Sequence, residues 1–146
     1  MLSPSLTSNF YTDDSIYQFE FDQIMDLDAK GPYRYLAVTK ALVLPVNEYI
    51  RCIVTSDDVI HSFAIPQLGL KVDAIPGRMQ AFIFHATKTG IYYGQCSELC
   101  GVNHAFMPVC VEVVAEDQFY DWYIKNLEVR PYKLLLNLLD VESTEA

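Results

Sequence analysis

Apolar and polar residues alternate in short runs along most of this chain, and the alternation predicts strands. Tyr17, Phe19 and Phe21 are interleaved with Gln18 and Glu20, which describes a short half-buried strand over Tyr17–Phe21. Tyr49–Thr55 repeats the pattern, with Ile50, Cys52 and Val54 on one face and Arg51, Ile53 and Thr55 on the other. Tyr35–Val46 is rich in β-formers and carries Pro45, which suits an edge or the start of a new strand. Gln80–Phe84, Gly90–Gly94 and Val109–Val114 complete the set. Asp26–Pro32 is turn material closed by Gly31-Pro32, and the stretch from Met1 to about Asp14 reads as polar loop.

Helical periodicity is clear in one place. Over Glu116–Leu127, Phe119, Trp122/Tyr123 and Leu127 recur at helical spacing, and Glu116 and Asp117 suit the positive N-terminal end of a helix. Arg130–Leu139 reads as a second short helix or an extended packing arm. Many short strands separated by turns predict an all-β Greek-key β-sandwich or barrel with a C-terminal helix. The 146 residues, about half of them apolar, are enough for one compact domain with a real core. Its expected limits are residues 15–127, between an N-terminal extension (1–14) and a C-terminal tail (128–146).

Charge narrows the function. The formal charge of -9 excludes a nucleic-acid partner, which needs a basic footprint. It fits steering of a basic protein, or simple solubility. The longest apolar stretches, Tyr35–Val46 and Leu134–Leu139, fall short of the roughly 20 residues that a spanning helix needs. Met1–Phe10 has no Lys or Arg and no long apolar run, so it resembles neither a signal peptide nor an Arg-rich transit peptide.

The four cysteines divide by setting. Cys52 and Cys110 lie inside apolar strand-like runs and read as core filler, a disulfide between them being the alternative. Cys96 and Cys100 lie in a polar, Gly-flanked loop that runs from Gly94 to Pro108 and also holds His104 and Met107. Singly these residues have ordinary readings: a Cys pair as a disulfide or zinc ligands, Met107 or a lone His61 as core. Together they change the picture. Thiolate and thioether select copper(I), and imidazole suits copper in either state. One Cys, two His and a weak axial Met make a mononuclear electron-transfer site, with His61 as the second imidazole. The second thiolate is surplus to that site and lets two sulfurs bridge two ions, one imidazole on each. Zinc structural sites prefer tighter Cys spacing and make no use of Met.

These residues carry a family resemblance. Tyr92–Gly101, with Asn103-His104 and Phe106-Met107-Pro108, closely resembles cytochrome c oxidase subunit II, as do Asp57–Pro66 and Leu68–Arg78. The resemblance spans roughly Leu42 to Leu127 and implies a cupredoxin-like fold around a dinuclear copper centre, copper A. It implies that Cys96 and Cys100 bridge both coppers, that His61 and Met107 complete one, and that His104 with the Glu98 backbone carbonyl completes the other. The Glu98 side chain would reach a magnesium ion at the interface with subunit I, a division that follows the hardness of the ligands. Asp73 and Arg78 match the loop facing subunit I. Asp57 and Asp58 match acidic positions near the cytochrome c docking face, or are solvated turn residues. His85 is read as a strand-end residue and Trp122 as packing, neither as a ligand.

The resemblance also implies a role: accepting electrons from reduced cytochrome c and passing them to the haem of subunit I, on the intermembrane-space side of the mitochondrial inner membrane. The family's two membrane helices and its electron-accepting tryptophan are not in this sequence. A trimmed piece of a longer chain is one explanation. The favoured expectation is a split subunit II, as in some algae and protists, whose membrane half is a separate partner, so that membrane association is through partners only. Three rivals are weaker. The copper-A domain of nitrous-oxide reductase has Trp where this chain has Glu98. Thioredoxin-like copper chaperones place their His far downstream. The degenerate domain of quinol oxidases has lost ligands that are all present here.

Overall fold

The computed structural model describes residues 6–10 and 19–127. Among them the chain forms nine strands: β1 (Leu6–Phe10), β2 (Phe19–Gln23), β3 (Leu42–Pro45), β4 (Tyr49–Val54), β5 (His61–Ile65), β6 (Leu70–Ala74), β7 (Gln80–His85), β8 (Gly90–Cys96) and β9 (Pro108–Val114). One helix, α1 (Glu116–Leu127), follows. Its bounds are those that the periodicity predicts. Glu116 and Asp117 occupy its first turn and Lys125 its last, which complements the helix dipole. Phe119 stacks on Tyr123 with ring centres 5.9 Å apart and packs beside Trp122, so the tryptophan is packing, as expected.

The strands form a five-stranded sheet in the order β3-β9-β8-β5-β6, a two-stranded sheet β4-β7 and a hairpin β1-β2. Strands adjacent in sequence repeatedly change sheet: β3 to β4, β4 to β5, β6 to β7 and β7 to β8. All pairings are antiparallel except β3 with β9. The fold is the expected all-β class with a C-terminal helix.

Three local readings need correction. The extension read as loop contains β1, which pairs with β2 although Leu6–Phe10 has little apolar patterning. Its register, Phe10↔Phe19 through Leu6↔Gln23, supplies what local propensity does not. Tyr35–Val46 yields a strand only over Leu42–Pro45. Before it the chain turns, with the N–H groups of Leu36 and Ala37 both donating to the Tyr33 carbonyl, and Tyr33 stacks on Tyr93 at 5.4 Å. The segment turns and makes one isolated bridge, Val38 with Met25, and no ladder before Leu42. His61–Ile65 and Leu70–Ala74, assigned to no strand from sequence, form the paired strands β5 and β6. Residues 17–18 of the first predicted strand and the Arg130–Leu139 segment lie outside the described residues.

Core residues come from both sheets. Leu44, Ile65, Val109, Val111 and Val113 of the larger sheet pack with Phe84 and Ala86 of β7 and its exit. Ile50, Cys52 and Phe82 of the smaller sheet lie partly buried against them, and Phe63 and Phe82 face each other at 6.1 Å. The face of β4 holding Ile50 and Cys52 is the inward one, as the alternation predicts. Each buried Val or Leu contributes about 1.5–3 kcal/mol relative to an exposed one. Strand β9, flanked by β3 and β8, is buried along most of its length, which makes it a rigid platform for the loop that precedes it.

Gln23 connects the hairpin to that platform. It is 2 % exposed, donates from Nε2 to the carbonyls of Cys110 (2.7 Å) and Lys40 (3.0 Å), and accepts the Cys110 N–H at 2.9 Å. Partner strand β3 begins opposite Val111, so the β9 backbone at Cys110 has no strand beside it on that side. The glutamine amide takes the strand's place. Gln23→Leu is therefore expected to leave buried backbone groups unpaired and to destabilise the fold by about 2–4 kcal/mol, checked by the urea midpoint.

Candidate metal centre

β5 and β8 assemble the site. Their register sets Phe63 opposite Cys96 and Ala64 opposite Gln95, and the Ser97 N–H donates to the Ser62 carbonyl at 3.1 Å. This carries the first residue of β5, His61, to the last residue of β8, Cys96. His61 Nδ1 and Cys96 Sγ lie 4.0 Å apart across 35 residues of chain. The imidazole thus belongs to a strand end, while the second cysteine sits on the loop before β9.

That loop folds on itself. Gly101 adopts φ +124°, a region that favours glycine, and its carbonyl accepts the His104 N–H. Residues His104–Phe106 then form a single 3-10 turn, closed by the Phe106 N–H to the Asn103 carbonyl at 2.9 Å. The turn brings His104 Nδ1 to 3.6 Å from Cys100 Sγ, and Met107 Sδ also lies 3.6 Å from that sulfur. The two thiol sulfurs are 3.9 Å apart and unbonded. The Cys96 thiol donates to the Glu98 carbonyl at 3.2 Å, so that carbonyl faces the sulfurs, and Glu98 as a residue is exposed. His61, Cys96 and Cys100 form a group whose ligand atoms lie within 4.8 Å of one another. All six residues singled out from sequence are gathered here.

The donor set fits copper. Metal–thiolate bonds are about 2.3 Å long, so sulfurs separated by 3.9 Å can each reach the same two ions. Soft sulfur and imidazole together are an inventory that suits copper. Desolvation, reinforced by the neighbouring Cys96 thiol, pushes the Cys100 thiol up to about 11, so a metal must displace its proton. Burial pushes the Cys52 and Cys110 thiols to about 11 as well, and both are free cysteines. They act as core residues, and the alternative of a disulfide between them is not realised.

One contact sequence reasoning did not supply is the carboxylate of Asp58 on His61. Oδ1 of Asp58 lies 2.7 Å from His61 Nε2, the ring nitrogen away from Cys96. Hydrogen bonds from His61, then from the Val59 N–H and the Ser56 hydroxyl, hold the Asp58 carboxyl at about 2, below the usual range. The available signal was the three-residue spacing to His61. Asp73 lies on β6 opposite Ser62, and Arg78 is exposed in the turn after it. His85 is exposed at the end of β7 and stacks on Tyr49 at 4.8 Å, so it takes no part in the site. Among the described residues no helix is long and apolar enough to cross a membrane.

Residues 6–114 match the family described as cytochrome c oxidase subunit II, periplasmic domain. The chain belongs to this family. The chain is 50 % identical over 111 residues to a probable cytochrome c oxidase subunit 2 of Rickettsia prowazekii, covering 73 % of this chain and 36 % of that protein. It is 46 % identical over 120 residues to cytochrome c oxidase subunit 2 of Metridium senile, covering 80 % and 48 %. It therefore spans about a third to a half of the length of these curated relatives. Among solved structures, the periplasmic domain of subunit II of cytochrome oxidase (CoxB) of Bradyrhizobium japonicum superposes with a TM-score of 0.71 at 49 % identity, covering 77 % of this chain and 80 % of that one. A mixed-disulfide complex of subunit II of cytochrome c oxidase with the thioredoxin-like TlpAs matches with a TM-score of 0.67 at 47 % identity, covering 77 % and 78 %. The chain thus has the cupredoxin-like architecture of the CoxB periplasmic domain.

Proposed function

We propose that this domain is the electron-accepting module of a cytochrome c oxidase, the oxidoreductase complex that oxidises cytochrome c and translocates protons. The observation that carries the reading is the pair of unbonded thiols 3.9 Å apart, with one imidazole beside each. Cys96 and Cys100 would hold a dinuclear copper centre between them. His61 and Met107 would complete one copper, and His104 with the Glu98 carbonyl the other. Bound there, the pair supplies a one-electron relay between reduced cytochrome c and the haem of subunit I.

The chain's own contribution is rigidity. Ligands fixed by the β5–β8 register and by a closed 3-10 turn need move little when one electron is shared over two ions. The net charge of -9 would draw a basic cytochrome c to this face. The exposed Glu98 is free to offer a hard carboxylate to magnesium at the contact with subunit I, and Asp73 and Arg78 would lie along the same contact. The proposed setting is the intermembrane-space side of the mitochondrial inner membrane, with subunit I as partner. Because a relative forms a mixed disulfide with a thioredoxin-like protein, reduction of Cys96 and Cys100 by such a protein is the proposed step before metal uptake.

Metal analysis and electron spin resonance on the reduced, copper-loaded chain test this. Two coppers per chain are expected, with one unpaired electron spread over two copper nuclei. Zinc, a single copper, or a disulfide between Cys96 and Cys100 in the working form would refute it.

A further inference from the structure

Resting on the copper reading above, we infer that Asp58 is a positioning residue that locks His61 in the one tautomer able to present Nδ1 to the thiol pair. An ionised carboxylate accepts hydrogen bonds and cannot donate them. With Asp58 Oδ1 2.7 Å from His61 Nε2, the ring proton sits on Nε2. The neutral ring then keeps its lone pair on Nδ1, the nitrogen that faces Cys96 Sγ at 4.0 Å.

Asp58 is itself held in place. Its Oδ1 accepts the Val59 N–H at 2.7 Å, and the Ser56 hydroxyl, 3.1 Å away, divides its one proton between that oxygen and the Val59 carbonyl. The carboxylate is therefore aimed at the ring by its own loop, although the side chain is 71 % exposed. Neighbouring Asp57 is also exposed but does not hold the ring, which separates a geometric role from a general effect of negative charge.

The arrangement is one-sided. His104 approaches Cys100 through Nδ1, and among the described residues no side chain holds its far nitrogen. The two imidazoles consequently enter the site unequal, His61 fixed and His104 free to choose its tautomer. A carboxylate behind an imidazole also raises the basicity of its ligating nitrogen. His61 becomes the stronger donor of the two imidazoles.

Nitrogen-15 NMR of the metal-free full chain, reduced and at neutral pH, tests the tautomer without any copper. The His61 ring is expected to show a protonated Nε2 and a lone pair on Nδ1. In Asp58→Ala it is expected to become a mixture, while His104 does not change. Copper titration of the same proteins is expected to show affinity falling about 10–100-fold in Asp58→Ala. Asp57→Asn, which removes the same charge, keeps both the tautomer and the affinity. A wild-type ring protonated on Nδ1, or an Asp58→Ala ring with an unchanged tautomer, would overturn the inference. A wild type with the expected tautomer that takes up no copper would instead defeat the copper reading, leaving the role of Asp58 on His61 intact.

Discussion

Replacing Cys100 by serine is expected to leave a folded domain that can no longer hold a coupled pair of coppers. Cys100 Sγ is the hub of the site: Cys96 Sγ lies 3.9 Å away, and His104 Nδ1 and Met107 Sδ each lie 3.6 Å away. A serine hydroxyl is hard and stays protonated, so it cannot bridge two soft ions. Copper content should fall from two per chain to one or none, and the resonance pattern of a shared electron should collapse to a mononuclear one. Stability should change little, by about 0.5 kcal/mol or less, because the residue sits on a partly exposed loop outside the core. Cys52→Ala is the matched control. That cysteine packs against the core from the other sheet, so its loss should cost stability and spare the copper signal. Two coppers and an unchanged spectrum in Cys100→Ser would mean that the ions lie elsewhere.

The second large effect comes from a residue with no side chain. A Cβ placed on Gly94 would lie 2.0 Å from the Ala64 carbonyl oxygen and 3.0 Å from Ile65 Cγ1. No Cβ tolerates a backbone oxygen at the first distance, so β5 and β8 must move apart. Those strands carry His61 and Cys96, and their pairing at Phe63↔Cys96 and Ala64↔Gln95 is what brings imidazole to thiol. Gly94→Ala is expected to destabilise the fold by about 3 kcal/mol, the upper end for overpacking, because backbone and not a flexible side chain is in the way. It should also lower copper affinity even though no ligand is altered. Denaturant unfolding of the metal-free chain and copper titration read the two effects separately. A variant as stable as the wild type, with full copper affinity, would show that the close approach of the strands does not set the site.

Much of this protein was legible in its sequence, and the pattern of success is physical. α1 was read to its limits because helix periodicity and end charges are local signals. β4, β7, β8 and β9 were found because one face of each meets the core and the other does not, or because the run is apolar and bounded by turns. Cys96, Glu98, Cys100, His104 and Met107 could be singled out from the sequence because one loop supplies them all. β1 was not found, since its pairing with β2 and not its composition makes it a strand. The Tyr35–Val46 run was overextended because its start is a turn, in which the Leu36 and Ala37 N–H groups both donate to the Tyr33 carbonyl.

By itself, then, the sequence determined the kind of donors, the soft metal they select and the alternating elements that carry them, because chemistry and periodicity are properties of neighbouring residues. The tertiary structure alone decided which strands meet. It set the β5–β8 register that delivers His61 to Cys96 and the amide of Gln23 that completes β9 from 87 residues away. Long-range strand pairing is settled by the packing of the whole core, and no short window of residues contains that information.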